Sequence, residues 1–119
     1  MQAQDFQTLL TATRSIAQEV ASVHAADVDA RSRFPHEAVA AMRSAKLMSA
    51  GVPASLGGFG CSLGQQAALC AAIGQGCSAS GMILAMHLIE VACMARHGMG
   101  SAWFRGELEA LVGAQTLIA

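Results

Sequence analysis

The chain has 119 residues, 54% of them hydrophobic, 13% charged and 4% aromatic, with a formal net charge of -1 and a mean hydropathy of +0.45. That is the size of one domain, and a sequence this apolar can offset its chain entropy, which excludes disorder. The near-neutral balance excludes a basic field for nucleic acid and a polybasic run for an anionic membrane surface.

Taken in chain order, Met1 to Leu10 carries Asp5 and several glutamines and has no apolar run of signal-peptide type. From Asp5 to Ala30, Phe6, Leu9, Leu10, Ile16, Ala17, Val20, Val23 and Val28 recur at helical spacing, which predicts one long helix. Arg31 to Arg33 breaks the pattern, and Pro35 suits the first position of a second helix ending near Ala45. Ala38, Met42 and Ala45 are expected to point inward, with Glu37 and Arg43 outward. Residues 47–61 carry Gly51-Val52-Pro53 and Gly57-Gly58-Phe59-Gly60, which is turn chemistry. Ser62 with Gln65 three residues on reads as a capping box for a third helix, Leu63 to Gly76. Ser78 or Ser80 is expected to cap a fourth helix ending near His97, with Gly98 past its end. A fifth runs from Ser101 to Val112, and Thr116 to Ala119 is β-prone. The predicted class is all-α, an irregular bundle of about five helices.

Charge is distributed unevenly. Between Lys46 and Glu90 there is no Asp, Glu, Lys or Arg. A small domain buries only about 60–70% of its unfolded surface, and soluble surfaces rely on mixed charge. Other protein, either further domains or partner subunits, is therefore expected to cover this stretch. Cys61, Cys70, Cys77 and Cys93 form no C-x-x-C pair and are expected to be reduced core residues of a cytoplasmic protein. The most apolar stretch, Gly81 to Ala95, falls short of the ~20 residues that span a bilayer.

Several stretches, in order, resemble one family. Phe34-Pro35-His36-Glu37-Ala38-Val39 with Met42-Arg43, then Val52-Pro53-Ala54-Ser55-Leu56-Gly57-Gly58-Phe59-Gly60, the capped helix at Ser62, and Leu84-Ala85-Met86-His87 are similar to the N-terminal helical domain of acyl-CoA dehydrogenases. The loop is the most specific piece. Ala54 and Ser55 stand where the family often has acidic residues, and Lys46 where it commonly has glycine. The resemblance implies a helical domain over residues 1–113, with 114–119 opening a middle β domain that precedes a C-terminal helical domain. It implies FAD held mainly by those later parts and a neighbouring subunit, an acyl-CoA substrate, and a homo-oligomer, dimer or tetramer. The catalytic base would be a carboxylate outside this chain, so no catalytic residue is expected here.

Three residues of the fourth helix are candidates for substrate contact: Met82, Met86 and His87. Met82 and Met86 are i, i+4 neighbours, suited either to a core stripe or to an adaptable lining for an acyl chain. His87 is open to two readings, a buried histidine bonded to backbone, or a residue of the acyl pocket near the flavin, where it could move a proton. With Glu90 it makes a single i, i+3 pair, too little for a di-iron site. Gly57 to Gly60 lacks the G-x-G-x-x-G spacing and a preceding strand, and is expected to be a structural turn with glycines at positive φ and Phe59 as a plug. Trp103-Phe104 is expected to anchor the fifth helix by packing. By resemblance the activity is α,β-dehydrogenation of an acyl-CoA thioester, with this part walling the acyl chain and inactive alone. The alternatives are a flavin-dependent monooxygenase of the same fold and a non-enzymatic helical interaction module.

Overall fold

A computed structural model describes residues 1–118, and among them the regular structure is helical. The predicted first helix is a continuous rod over residues 3–31, built from α1 (Ala3–Ile16), a π-helical turn (Ala17–Ala21) and α2 (Ser22–Arg31). The π turn shows in the Ser22 N–H bonding back five residues to the Ala17 carbonyl. The rod ends at Ser32 in the left-handed region (φ 49), where Ser32 and Arg33 N–H groups bond the Asp29 and Val28 carbonyls, a closure usually given to glycine.

The second helix, α3 (His36–Ser44), begins one residue later than Pro35 suggests. Pro35 has ψ 66 and sits just outside the helix, while its carbonyl accepts the first turn's bond from Val39. Ala38 and Met42 are buried as expected. A 3-10 turn (Leu47–Ser49) and a second one (Ala54–Leu56) lead into α4 (Leu63–Gly76), α5 (Ser78–His97) and α6 (Ala102–Ala114). The capping box of α4 is present in both directions: Gln65 N–H donates to Ser62 Oγ at 3.1 Å and Ser62 N–H to Gln65 Oε1 at 2.8 Å. Residues 115–118 follow α6 without regular structure, and the expectation for Ala119 lies outside the described residues.

α4 and α5 form an antiparallel pair joined at Cys77, and α1 lies against α4. The main core draws on α1, α3, the first 3-10 turn, α4, α5 and α6: Phe6, Leu10, Met42, Leu47, Met48, Leu69, Ile73, Leu84, Val91 and Leu108 are all buried. Backbones meet closely at two places. A Cβ on Gly81 would lie 2.6 Å from the Gly74 Cα, and one on Gly76 would lie 2.3 Å from the Ala17 carbonyl oxygen inside the π turn.

The end of the first rod is tied to α3 by charge. Arg33 holds Asp27 through Nε at 2.7 Å and both Glu37 oxygens at 2.9 Å. These hydrogen bonds from Arg33 pull the Glu37 carboxyl down from 4.5 to about 2. A lowered carboxylate favours the fold at pH above its unfolded value, and that contribution is lost as pH falls from about 4.5 toward about 2. Glu37→Gln should therefore lower stability at neutral pH and flatten its decline over that acid range, as read from urea melts at a series of pH values. The neighbouring glycines should respond with opposite signs. Gly81→Ala forces a methyl onto the Gly74 backbone and should cost about 1–3 kcal/mol. Gly74→Ala, whose own Cβ meets nothing within 4 Å, should gain about 0.5–1 kcal/mol. Denaturant titration of the two variants checks both.

Candidate functional site

α5 has two faces of different chemistry. Ser80, Leu84, His87, Leu88 and Val91 are buried against the bundle. On the outer side Met82, Met86 and Ile89 are 62%, 53% and 54% exposed, and Cys93 continues the same line. Their spacing of four, three and four residues makes one stripe along the helix. Beside it, α4 and α5 enclose a groove of about 480 Å³ lined by Leu63, Ala67, Cys70, Ala85, Ile89 and Cys93, with Arg96 and His97 also on its wall. A cavity of this size, apolar with a few polar groups, suits a small-molecule chain or another protein surface. None of its lining side chains is a carboxylate. Part of the segment without charge thus lies on this open face, while Leu47, Met48, Val52, Leu69, Ile73 and Leu84 of the same segment are buried in the core.

Of the three residues singled out in the sequence, the structure brings Met82 and Met86 together on the open stripe and sets His87 apart. Of the two readings open for His87, the geometry is that of the buried histidine bonded to backbone. Its side chain is fully buried, and both ring nitrogens are engaged: Nε2 lies 2.7 Å from the Met48 carbonyl and Nδ1 accepts the Ile118 N–H at 3.0 Å. A carbonyl on one side and an N–H on the other fix the neutral Nε2–H tautomer. Burial pushes its pKa below the ordinary 6.5, with the Met48 carbonyl opposing in part.

The glycine loop is a structural turn. Gly57 and Gly60 have φ of 95 and 62, and a Cβ on Gly58 would lie 2.2 Å from the Val52 carbonyl oxygen. The N–H groups of Gly57, Gly58, Phe59, Gly60 and Cys61 are bonded to the carbonyls of Ala54, Pro53, Ser49, Val52 and Ala50. With every donor spent internally, the loop offers no cradle for a phosphate, and this part of the chain does not fit the pyrophosphate of a flavin dinucleotide. Among the described residues no three His, Cys, Asp or Glu side chains gather as a metal site.

Other expectations change. Neither Ser78 nor Ser80 caps α5; Cys77 occupies the cap position without a side-chain bond, and Ser80 Oγ is buried with no partner. Trp103 and Phe104 are exposed and pair edge-to-face with each other at 4.9 Å, so they do not anchor α6 in the core. Cys61 and Cys77 are buried and Cys70 half-buried, but Cys93 is exposed, because it falls on the outer stripe of α5. At 20 residues α5 is long and apolar enough to cross a membrane by length and composition; the shorter stretch 81–95 understated its length. Its inner face is built into the bundle through His87.

Gln115 was invisible to sequence patterning. It is buried with φ 52 at the end of α6. Its Oε1 accepts the Met48 N–H at 3.1 Å, its Nε2 donates to Ser49 Oγ at 2.8 Å, and its carbonyl accepts from Arg43 Nε at 3.2 Å. A lone glutamine after a helix carries no spacing signal, and only the fold reveals that its amide replaces backbone partners for the 47–49 turn.

The helical bundle, the turn-forming glycine loop and the open α4–α5 face define an N-terminal helical domain of the acyl-CoA dehydrogenase type. The family model described as "Acyl-CoA dehydrogenase, N-terminal domain" matches residues 3–102, and the chain belongs to that family. No curated protein and no solved structure matches the chain.

Thiol chemistry should report the placement of the groove. In the native protein Cys93 should react first with an aromatic disulfide reagent, Cys70 more slowly because burial raises its pKa, and Cys61 and Cys77 only on unfolding. Cys93→Ser should remove the fast phase in a stopped-flow trace.

Proposed function

We propose that this chain serves as the N-terminal wall of an FAD-dependent acyl-CoA dehydrogenase, which carries out α,β-dehydrogenation of an acyl-CoA thioester in the cytoplasm as a homo-oligomer. The observation that carries this is the open apolar face of α4 and α5, in a chain whose family is that of acyl-CoA dehydrogenase N-terminal domains. Met82 and Met86 supply flexible, polarizable side chains that can follow an aliphatic chain without demanding one shape. Ala67, Ala85 and Ile89 add apolar surface that excludes water beside it. In this proposal residues 1–113 form the helical domain and 114–119 lead toward the parts that hold flavin and catalytic base.

The proposal gives the isolated chain a passive role. The groove's wall has no carboxylate for α-proton abstraction, and the glycine loop has no free N–H groups for a phosphate. A monooxygenase of the same fold draws no support from His87, whose nitrogens are both committed to backbone. A self-sufficient interaction module draws none from a surface that leaves Met82, Met86 and Ile89 bare.

Two measurements test the proposal. Residues 1–119 mixed with acyl-CoA, FAD and a dye acceptor should show no turnover, and appreciable turnover would refute this assignment of roles. The same protein should bind an apolar fluorophore and self-associate by light scattering, while Met82→Glu/Ile89→Glu should abolish both and keep the helical circular dichroism. A wild-type chain that is monodisperse and does not bind the dye would count against the open face as a site.

A further inference from the structure

We propose that His87 is a proton-operated fastener: a proton taken up at Nδ1 expels the Ile118 N–H and frees the segment after α6, while the bond to Met48 stays. This is independent of the activity proposed above.

The geometry leaves little choice. Neutral His87 has one donor and one acceptor, and each is matched, Nε2–H to the Met48 carbonyl at 2.7 Å and the Nδ1 lone pair to the Ile118 N–H at 3.0 Å. The imidazolium has two N–H donors and no acceptor. Its Nε2–H still suits Met48, but its Nδ1–H would confront another N–H, so the Ile118 contact must open. The Met48 side is reinforced because Gln115 Oε1 holds the Met48 N–H. The segment has a natural pivot at Gln115, whose own N–H bonds Leu111 and whose amide is seated on Ser49. Beyond the pivot, Leu117 and Ile118 are only partly buried, and they are what would move.

Among the described residues no neighbouring charge absorbs the proton. α4 brings no charged residue, only the Cys70 thiol. From α6, Arg105 is bonded to the Met99 carbonyl, and Glu107 and Glu109 are exposed. Lys46, ahead of the turn that carries Met48, and Glu90 on α5 itself are exposed, while Arg43 from α3 is spent on the Gln115 carbonyl. None of these bonds the imidazole. The sign follows: burial disfavours the cation, so the fastener is closed above the ordinary 6.5 of histidine and opens as pH falls through the lower folded value.

Amide exchange followed by NMR on the full chain, from about pH 8 to about pH 5, tests this with the ring nitrogens of His87 read in parallel. The Ile118 amide should lose about tenfold or more of its protection factor over the same interval in which His87 protonates, while Met48 and Gln115 amides stay protected. His87→Gln reaches the Nε2 position with its amide and can donate to Met48, but places no acceptor where Nδ1 stands, so Ile118 should be unprotected at every pH. His87→Asn offers Ile118 a non-titrating acceptor, so its protection should become independent of pH. The wild-type titration decides the matter even if both variants fail to fold. Protection of Ile118 that ignores the charge on His87 overturns the proposal, as does loss of Ile118, Met48 and Gln115 protection together.

Discussion

The backbone of Met48 is held from both sides. Its N–H is taken by the Gln115 amide and its carbonyl by the His87 ring, so one residue of a short 3-10 turn connects α5 with the end of α6. A turn so short cannot satisfy its own backbone groups, and buried groups left unpaired would cost about 1–3 kcal/mol each. Two side chains from distant parts of the chain close that deficit. Arg43 adds a third link by holding the carbonyl of Gln115. The arrangement explains why a histidine and a glutamine, both costly to bury, sit in the interior of an otherwise aliphatic bundle.

With its inner face fastened in this way, α5 can leave its outer face bare. Met82, Met86, Ile89 and Cys93 make a stripe that contributes little to the core. The bundle is held by Leu84, Val91 and Leu108 with Met42 and Leu69. Stability and candidate function are thereby separated by about half a helical turn. Substitutions on the outer stripe are expected to change what the face binds more than whether the chain folds.

Much of this was legible in the sequence because the signals were local. The capping box at Ser62 and Gln65 is fixed by a three-residue spacing, and the helical periodicity of the first rod holds at Phe6, Leu9, Leu10, Ala17 and Val28, while across the π turn Ala21 takes the buried place and Val23 is left 65% exposed. The empty interval between Lys46 and Glu90 pointed to an uncovered face. What was not legible depended on distant partners. The π turn leaves no mark in composition; it shows in the bond from the Ser22 N–H to the Ala17 carbonyl, which Gly76 approaches closely. The roles of His87 and Gln115 depend on a turn 39 and 67 residues away from them. Cys93 looked like core because its neighbours are apolar, yet the periodicity that exposes Met82, Met86 and Ile89 exposes it too. The hydrophobicity of Trp103 and Phe104 suggests packing, but the helix start beneath them leaves both side chains exposed.

The near-contact of Gly74 and Gly81 bears on how such a groove could diversify. Where α4 and α5 touch backbone to backbone there is no side chain to trim or enlarge, so the distance between the two axes is set by the main chain. Any tuning of calibre must come from residues farther along, such as Leu63, Ala67, Cys70 and Ile89. The architecture fixes the gauge of the channel, and a handful of substitutions can reshape its lumen without prising the helices apart.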